Sequence, residues 1–483
     1  MLRRATPRLT IIVAMLCGTA LPARAETLQE ALAAAYRDNP TLTAARAGQR
    51  ATDETFNLQK ATGLPSLQAT GTYSETVHQA PANEFQANRT FTAGLDLNVP
   101  IYQGGRVRNG MRAADTRVEA GQFVLRSTEL SVFSQVVAAY MDVIRGEAVV
   151  GLSQNNVQVL EVNLQATNNR FQVGDLTRTD VAQSESRLAL ARGDLRTAEA
   201  QLMEARERYI QLVGHAPVDL QPPPPLPGLP ATADDAVDIA LANNPDLAAA
   251  HKEREATLYD VRVARGLRHP SLSAFSSGSY NTDFGSTPAS AGFQNYGAGV
   301  AVGAQITLPL YQGGGPAAQV RQSQALEQQA MERETATERD VIAQTRSLYS
   351  SWQASNEVIA SSRVAVDASA LSLRGVRAEN SVGTRTILDI LNAEQENFSA
   401  RVQLVTAERN AYVAAFSLLA AMGQVSPTEL GVAQGETYDP NANYQRVRGK
   451  WFDWDDDAAP APVASRTVDS VTQNATVKGD VNP

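Results

Sequence analysis

The sequence predicts a mainly α chain with a β-barrel part. Long coiled-coil helices form most of it, and four membrane strands per chain close as a 12-stranded barrel in a homotrimer. Three observations carry this: two Pro-free helical intervals longer than any globular helix, strands of strict apolar–polar alternation, and an internal duplication. Among 483 residues, no Pro occurs from Ile101 to Ala216 or from Ala317 to Ser426. Both intervals are rich in Ala, Gln, Glu, Arg and Leu, which lose little rotamer freedom in a helix. A helix from Gly105 to Phe171 would be about 100 Å long at 1.5 Å per residue.

The first interval carries a 3–4 spaced seam, Val132, Val136, Ala139, Val143, Gly146, Val150, Ser153, Val157, Leu160 and Leu164. A second seam runs Leu188, Ala191, Leu195, Ala198, Leu202, Ala205, Tyr209 and Leu212. Such seams belong to coiled coils, and their small residues let helices approach closely. In the strand from Thr90 to Val99, Phe91, Ala93, Leu95, Leu97 and Val99 share one face, and Thr92, Gly94, Asp96 and Asn98 the other. From Tyr296 to Leu308 the apolar face is Tyr296, Ala298, Val300, Val302, Ala304, Ile306 and Leu308. Ser66 to Val77 and Ser271 to Asn281 are weaker strand partners. Ten-residue strands with apolar outside and polar inside suit a transmembrane barrel. A soluble one-sided sheet would need a covering layer that such narrow helices do not supply. Four strands cannot close, and open edges do not survive in lipid, so copies must pool them.

The duplication appears as landmarks in matching order. Asp38-Asn39-Pro40 recurs as Asn243-Asn244-Pro245, and Leu64-Pro65-Ser66-Leu67 as His269-Pro270-Ser271-Leu272. Pro100-Ile101-Tyr102-Gln103-Gly104-Gly105 recurs as Pro309-Leu310-Tyr311-Gln312-Gly313-Gly314, and Val173-Gly174 as Val382-Gly383. Pro100, Gly104, Gly105, Pro309, Gly313 and Gly314 read as strand-to-helix breaks. The offset is 205 residues early and 209 later, so a duplicated half-protein fits better than a solenoid. The organisation is then a leader over 1–25, a first repeat over 26–220, a Pro-rich linker over 221–230 and a second repeat over 231–430. A short segment over 431–454 and a polar, disordered tail over 455–483 follow.

Arg3, Arg4 and Arg8 precede the apolar run Leu9 to Leu21, and Ala23-Arg24-Ala25 supplies a small-x-small cleavage pattern before Glu26. The single Cys17 lies in that run without the small residue that precedes a lipidated Cys. Removing four Arg and no acid takes the net charge from −9 to −13. Acidity without a basic block argues against nucleic acid as a partner. His78, His215, His251 and His269 lie far apart and form no metal spacing, and no phosphate loop or nucleophile elbow occurs. The sequence therefore offers no catalytic, cofactor or metal site, and no enzyme is expected.

Together these residues resemble the TolC family of outer-membrane efflux and secretion channels, over about Thr27 to Trp454. The most specific carriers are the duplicated Pro-x-Tyr-Gln-Gly-Gly turns and the run from Val382-Gly383-Thr384-Arg385-Thr386 to Glu394. Tyr438-Asp439-Pro440 to Lys450-Trp451-Phe452 is similar to alphaproteobacterial members. The resemblance implies a homotrimeric exit channel in the outer membrane of a Gram-negative bacterium, with a periplasmic α-helical tunnel. It would serve small-molecule efflux, type I protein secretion or both. The implied partners are two further copies, a periplasmic adaptor, an inner-membrane RND, ABC or MFS pump, and outer-membrane lipid. At the implied periplasmic gate, Arg385 matches the gate arginine, Thr179 and Asp180 its neighbours, and Asp389 an acidic ring. Asn380 and Asn392 depart from the family's Tyr and second pore acid there. The competing expectation is an exported structural coiled-coil protein with a soluble β cap.

Overall fold

A computed structural model describes residues 25–78, 89–284, 296–428, 430–431 and 437–477. The leader up to residue 24, with Cys17, lies outside them. Each half repeats one plan of two short helices, two strands and two long helices. The first half runs α1 (Leu28–Asp38), α2 (Pro40–Ala61), β1 (Ser66–Glu75), β2 (Arg89–Gln103), α3 (Arg106–Gln172) and α4 (Arg178–Val213). The second runs α5 (Ala233–Asn243), α6 (Pro245–Gly266), β3 (Ser271–Phe284), β4 (Tyr296–Thr307), α7 (Gly315–Ser381) and α8 (Ile387–Ala421). A last helix, α9 (Pro440–Val447), follows.

Each Asn-Pro motif does two jobs. Asn39 Oδ1 caps α2 by accepting from Thr41 N–H at 2.9 Å, while its amide donates to the Leu212 carbonyl at 2.8 Å. Asn244 repeats both, capping at Asp246 N–H (2.9 Å) and donating to the Ala421 carbonyl (2.9 Å). The short helices are thereby pinned to the ends of α4 and α8, where carbonyls lack intrahelical partners.

Most positions of both seams are buried; Val157, Leu164, Leu195 and Ala205 are half-buried. Val136, Val143, Val150 and Leu202 are fully buried, and Tyr209 joins them in the main core. A Cβ at Gly146 would sit 3.0 Å from Leu202 Cδ1, so α3 and α4 approach as closely as their small residues allow. The core also holds a polar staple. Glu26 is buried and accepts the Tyr209 hydroxyl at 2.6 Å; the Tyr140 hydroxyl donates to the Glu26 and Gln221 carbonyls at 3.0 and 2.6 Å. This ties the segment that leads into α1 and the Pro-rich linker to α3 and α4. Glu26→Ala strands a buried tyrosine hydroxyl, and we expect a loss of about 2 kcal/mol in thermal or denaturant unfolding. Glu26→Gln, which keeps an acceptor, should recover most of it.

The four strands form one open antiparallel sheet in the order β1-β2-β3-β4. Its register is duplicated: Ser66 pairs with Asn98, and the equivalent Ser271 pairs with Thr307. Across β2 and β3, Leu95 faces Gly278 and Leu97 faces Ser276; across β3 and β4 these face Val300 and Val302. The two alternating apolar rows therefore share one side. No described helix covers it: Leu95 is 51% exposed, Val300 81%, Val302 79% and Ile306 73%.

Two boundaries differ from expectation. β2 does not break at Pro100 but continues to Gln103: Pro100 still lies opposite Ser273, the bulge falls at Ile101, and the pairing with β1 has already ended at Asn98, so Pro100 sits where one side of the strand is an edge. β4 stops at Thr307, so Leu308 and Pro309 lie in the connection to α7. Both turns into the long helices are made by glycine pairs: Gly104, Gly105, Gly313 and Gly314 all have φ between +60° and +80°, a conformation side chains resist. The tail also departs from its composition. Without helix or strand, residues up to Thr476 still lie along α4, where Arg206 donates to the Asn474 and Thr476 carbonyls and Gln473 N–H reaches Glu207.

Candidate functional site: the helical tips

The two long hairpins end in tips built alike. At the first, Gly174 N–H donates to the Phe171 carbonyl and Asp175 N–H to the Arg170 carbonyl, both at 2.9 Å. At the second, Gly383 N–H bonds Asn380 (3.0 Å) and Thr384 N–H bonds Glu379 (3.1 Å). These paired bonds satisfy the last carbonyls of α3 and α7. Each following helix opens on a reciprocal capping box. Asp180 Oδ2 accepts from Thr177 N–H (2.9 Å) and hydroxyl (2.7 Å), while Asp180 N–H returns a bond to that hydroxyl (3.3 Å). Asp389 repeats this with Thr386 at 2.9, 2.7 and 3.3 Å.

The caps decide the electrostatics. Hydrogen bonds from the Thr386 hydroxyl and backbone hold the Asp389 carboxyl below its ordinary range, with Arg385 adding to the effect. Asp180 is lowered by the same two bonds from Thr177. Arg385 is exposed and donates from Nε to Glu379 Oε2 at 2.7 Å. Thr179 is exposed on the first turn of α4. Within one protomer, then, the expected contact of Arg385 with Thr179 and Asp180 does not form. Asp180 is engaged by its own N-cap, and Arg385 folds back across its turn onto Glu379.

Sequence reading missed three partners. Glu379 is the first; applying the 209-residue offset finds it, because Arg170 at the matching place bonds Asp175 Oδ2 at 2.8 Å. The two tips therefore carry the same kind of ion pair with opposite polarity along the chain. Asn380, which stands where the family's Tyr is expected, donates to the Arg385 carbonyl at 2.7 Å and braces the turn. Asn392, in place of the second acid, accepts from Arg187 Nη2 at 2.9 Å and links α8 to α4. Beside it Leu391 packs with Leu160, Leu188 and Ala191, so the two hairpins share a small core near their tips. No His, Cys, Asp or Glu group suited to a metal occurs among the described residues.

A family model described as outer membrane efflux protein matches residues 29–215 and 236–424, one segment per repeat. The chain belongs to that family. The outer membrane efflux protein BepC of Brucella suis is 33% identical over 457 residues, covering 93% of this chain and 97% of that protein. The outer membrane protein TolC of Escherichia coli is 26% identical over 432 residues, covering 86% of each. Among solved structures, the Campylobacter jejuni CmeC outer membrane channel superposes with a TM-score of 0.73, covering 87% of this chain and 89% of that one at 18% identity. As an outer membrane efflux protein, the chain is a channel of the outer membrane whose helical part extends into the periplasm. Members of the family are trimers that work with an adaptor and an inner-membrane pump.

Proposed function

We propose that three copies of this chain close one continuous conduit, a 12-stranded barrel in the outer membrane above a periplasmic helical tunnel. The tunnel receives cargo from a periplasmic adaptor and an inner-membrane pump of the RND, ABC or MFS type. The observation that carries this reading is the open sheet with a duplicated register. Because β4 repeats β2 and β1 repeats β3, the β2–β3 pairing specifies how β4 of one copy meets β1 of the next. Asn98 opposite Phe275 translates into Thr307 opposite Thr70 of that copy. The row of Phe91, Leu95, Leu97, Val99, Val300, Val302, Ile306 and Leu308 then faces lipid. The exposed apolar residues of α7, among them Val364 and Leu371, meet the next copy's helices.

At the tunnel entrance, Asp389 from three copies forms an acidic ring, and Arg385 meeting Asp180 and Thr179 of the next copy's hairpin holds the tips inward. The closure has a direct test, since the only Cys lies in the leader. Thr70→Cys with Thr307→Cys should give a covalent trimer on oxidation, as facing strand positions lie within disulfide reach. Thr70→Cys with Ile306→Cys, slipped by one residue and pointing to the other face, should not. Crosslinking of the slipped pair alone, or of neither pair, would overturn the closure.

A further inference from the structure

Three exposed aromatic residues near the chain end have no role in the tunnel. Trp451, Phe452 and Trp454 are 77%, 63% and 83% exposed, and they follow α9. That helix lies against α2 and α3. Asn443 donates to Asp53 (2.7 Å), the Tyr444 hydroxyl to Asp115 (2.5 Å), Asn57 to the Val447 carbonyl (2.9 Å) and Lys60 to the Arg448 carbonyl (3.0 Å). Successive residues 443, 447 and 448 thus meet 53, 57 and 60, so α9 runs parallel to α2 toward the sheet. α2 ends at Ala61, and Gln103 at the foot of β2 donates to the Thr62 carbonyl at 3.3 Å. The end of α9 therefore stands level with the foot of the strands.

Beyond it the chain makes a loop with a closed neck. Arg446 binds Asp457 through both terminal nitrogens at 2.8 and 2.7 Å, and Lys450 reaches Asp455 at 3.2 Å and Asp457 at 3.4 Å. Ordinary polar loops do not display two tryptophans and a phenylalanine at the apex of a salt-bridged neck. At this level stand two other exposed aromatics, Tyr102 and Tyr311, from the duplicated turns. Trp and Tyr concentrate where hydrocarbon meets water, because the ring partitions into the interface while its N–H or O–H stays hydrated. Charge narrows the choice of surface. Arg446 and Lys450 are paired with Asp455 and Asp457, Arg448 lies over the Phe56 and Tyr444 rings, and Asp453 and Asp456 add two more negative charges, which leaves no excess of cations for an anionic surface.

We propose that the loop from Gly449 to Asp457 is a membrane-interface anchor. It seats Trp451, Phe452 and Trp454 in the zwitterionic phospholipid headgroup layer of the periplasmic leaflet, outside the barrel. The proposal rests on the barrel reading above, and its test separates the two. The chain has three tryptophans, Trp352, Trp451 and Trp454, so Trp352→Phe leaves only the anchor pair. The full-length variant is reconstituted into phosphatidylcholine–phosphatidylethanolamine vesicles, with and without acyl-brominated phosphatidylcholine.

Brominated lipid should remove more than half of the emission, equally at low and high salt. A control lacking all three tryptophans and carrying Leu95→Trp reports the barrel face. Quenching of that control without quenching of the anchor pair overturns the anchor alone, and failure of both overturns the barrel reading as well. Blue-shifted but unquenched emission means that the loop is buried against another copy, and it too overturns the proposal. Should Trp352→Phe fail to fold, the unmodified protein is compared with Trp451→Phe/Trp454→Phe. The quenched fraction should then vanish with the two indoles, and its persistence would overturn the anchor.

Discussion

Gly104→Ala should strongly destabilise the protomer and with it the channel, while Gly313→Ala should yield a folded protomer that does not assemble. The two glycines are duplicates with nearly the same backbone, φ +64° and +60°, so an alanine at either meets about 1–2 kcal/mol of left-handed strain. Their surroundings differ. A Cβ at Gly104 would land on the Gly266 carbonyl oxygen and lie 3.0 Å from His269 Cβ, whereas at Gly313 nothing lies within 4 Å in the protomer. A backbone carbonyl cannot step aside as a side chain can, so Gly104→Ala carries a further overpacking penalty of about 1–3 kcal/mol. That sum is a large share of the roughly 5–15 kcal/mol that holds a domain folded. In the proposed trimer, the duplication puts the next copy's α2–β1 turn beside Gly313. Proteolysis of the solubilised chains and semi-native gels of the outer-membrane fraction separate the outcomes. A wild-type, heat-labile trimer from both variants would contradict this account of the joints.

Arg385→Ser should loosen the resting entrance, raising single-channel conductance in planar bilayers and antibiotic leakage in cells. Glu379→Gln should follow it in direction, since the guanidinium is held by that carboxylate. Asp389→Ala should behave differently. It removes the cap of α8, and, in the proposed trimer, a ring of carboxylates of the kind that selects cations and binds divalents. Acid sensitivity follows from the sign of the shift. The Asp389 carboxyl is held below its ordinary value, so its contribution is complete above the unfolded pKa and is lost as pH falls through the folded one. The α8 cap should therefore persist to below about pH 4. Repulsion within a ring of like charges suggests a higher window, but the cap bonds oppose it. Reversal potentials and conductance from pH 3.5 to 7 test this, and a transition near pH 6 that Asp389→Ala removes would show repulsion to dominate. If Arg385→Ser leaves conductance and leakage unchanged, Arg385 is only a surface ion pair.

Much of the fold was legible because its signals are periodic. The seams from Val132 to Leu164 and from Leu188 to Leu212 are set by a 3–4 rule that needs no tertiary information, and alternation marks β2 and β4 in the same way. Gly104 and Gly313 were legible as breaks because so few residues adopt their conformation. Pro100 misled, since it stays paired with Ser273 and the bulge falls on the next residue, and pairing and bulges depend on the neighbouring strand. The tip was harder to read. Asp180 and Asp389 stand out by position, while their local role as helix caps is written in Thr177-x-x-Asp180 and Thr386-x-x-Asp389. For Arg385 the sequence points to partners on another hairpin, and it gives no sign that Glu379, six residues away on its own turn, holds the guanidinium within the protomer. Composition suggested a disordered tail because Arg206 and the tail carbonyls it binds lie 268 and 270 residues apart.

The reversed ion pairs at the tips, Arg170 to Asp175 and Arg385 to Glu379, have a geometric consequence. In the proposed trimer, six hairpins around a threefold axis look sixfold in backbone outline, so a ring-shaped partner could settle by shape at any sixty-degree step. The dipoles at their ends alternate in direction from one hairpin to the next. A partner with its own charge pattern therefore matches at three of those six azimuths and meets like charges at the other three. The duplicated halves, so alike in outline, together act as a rotary key.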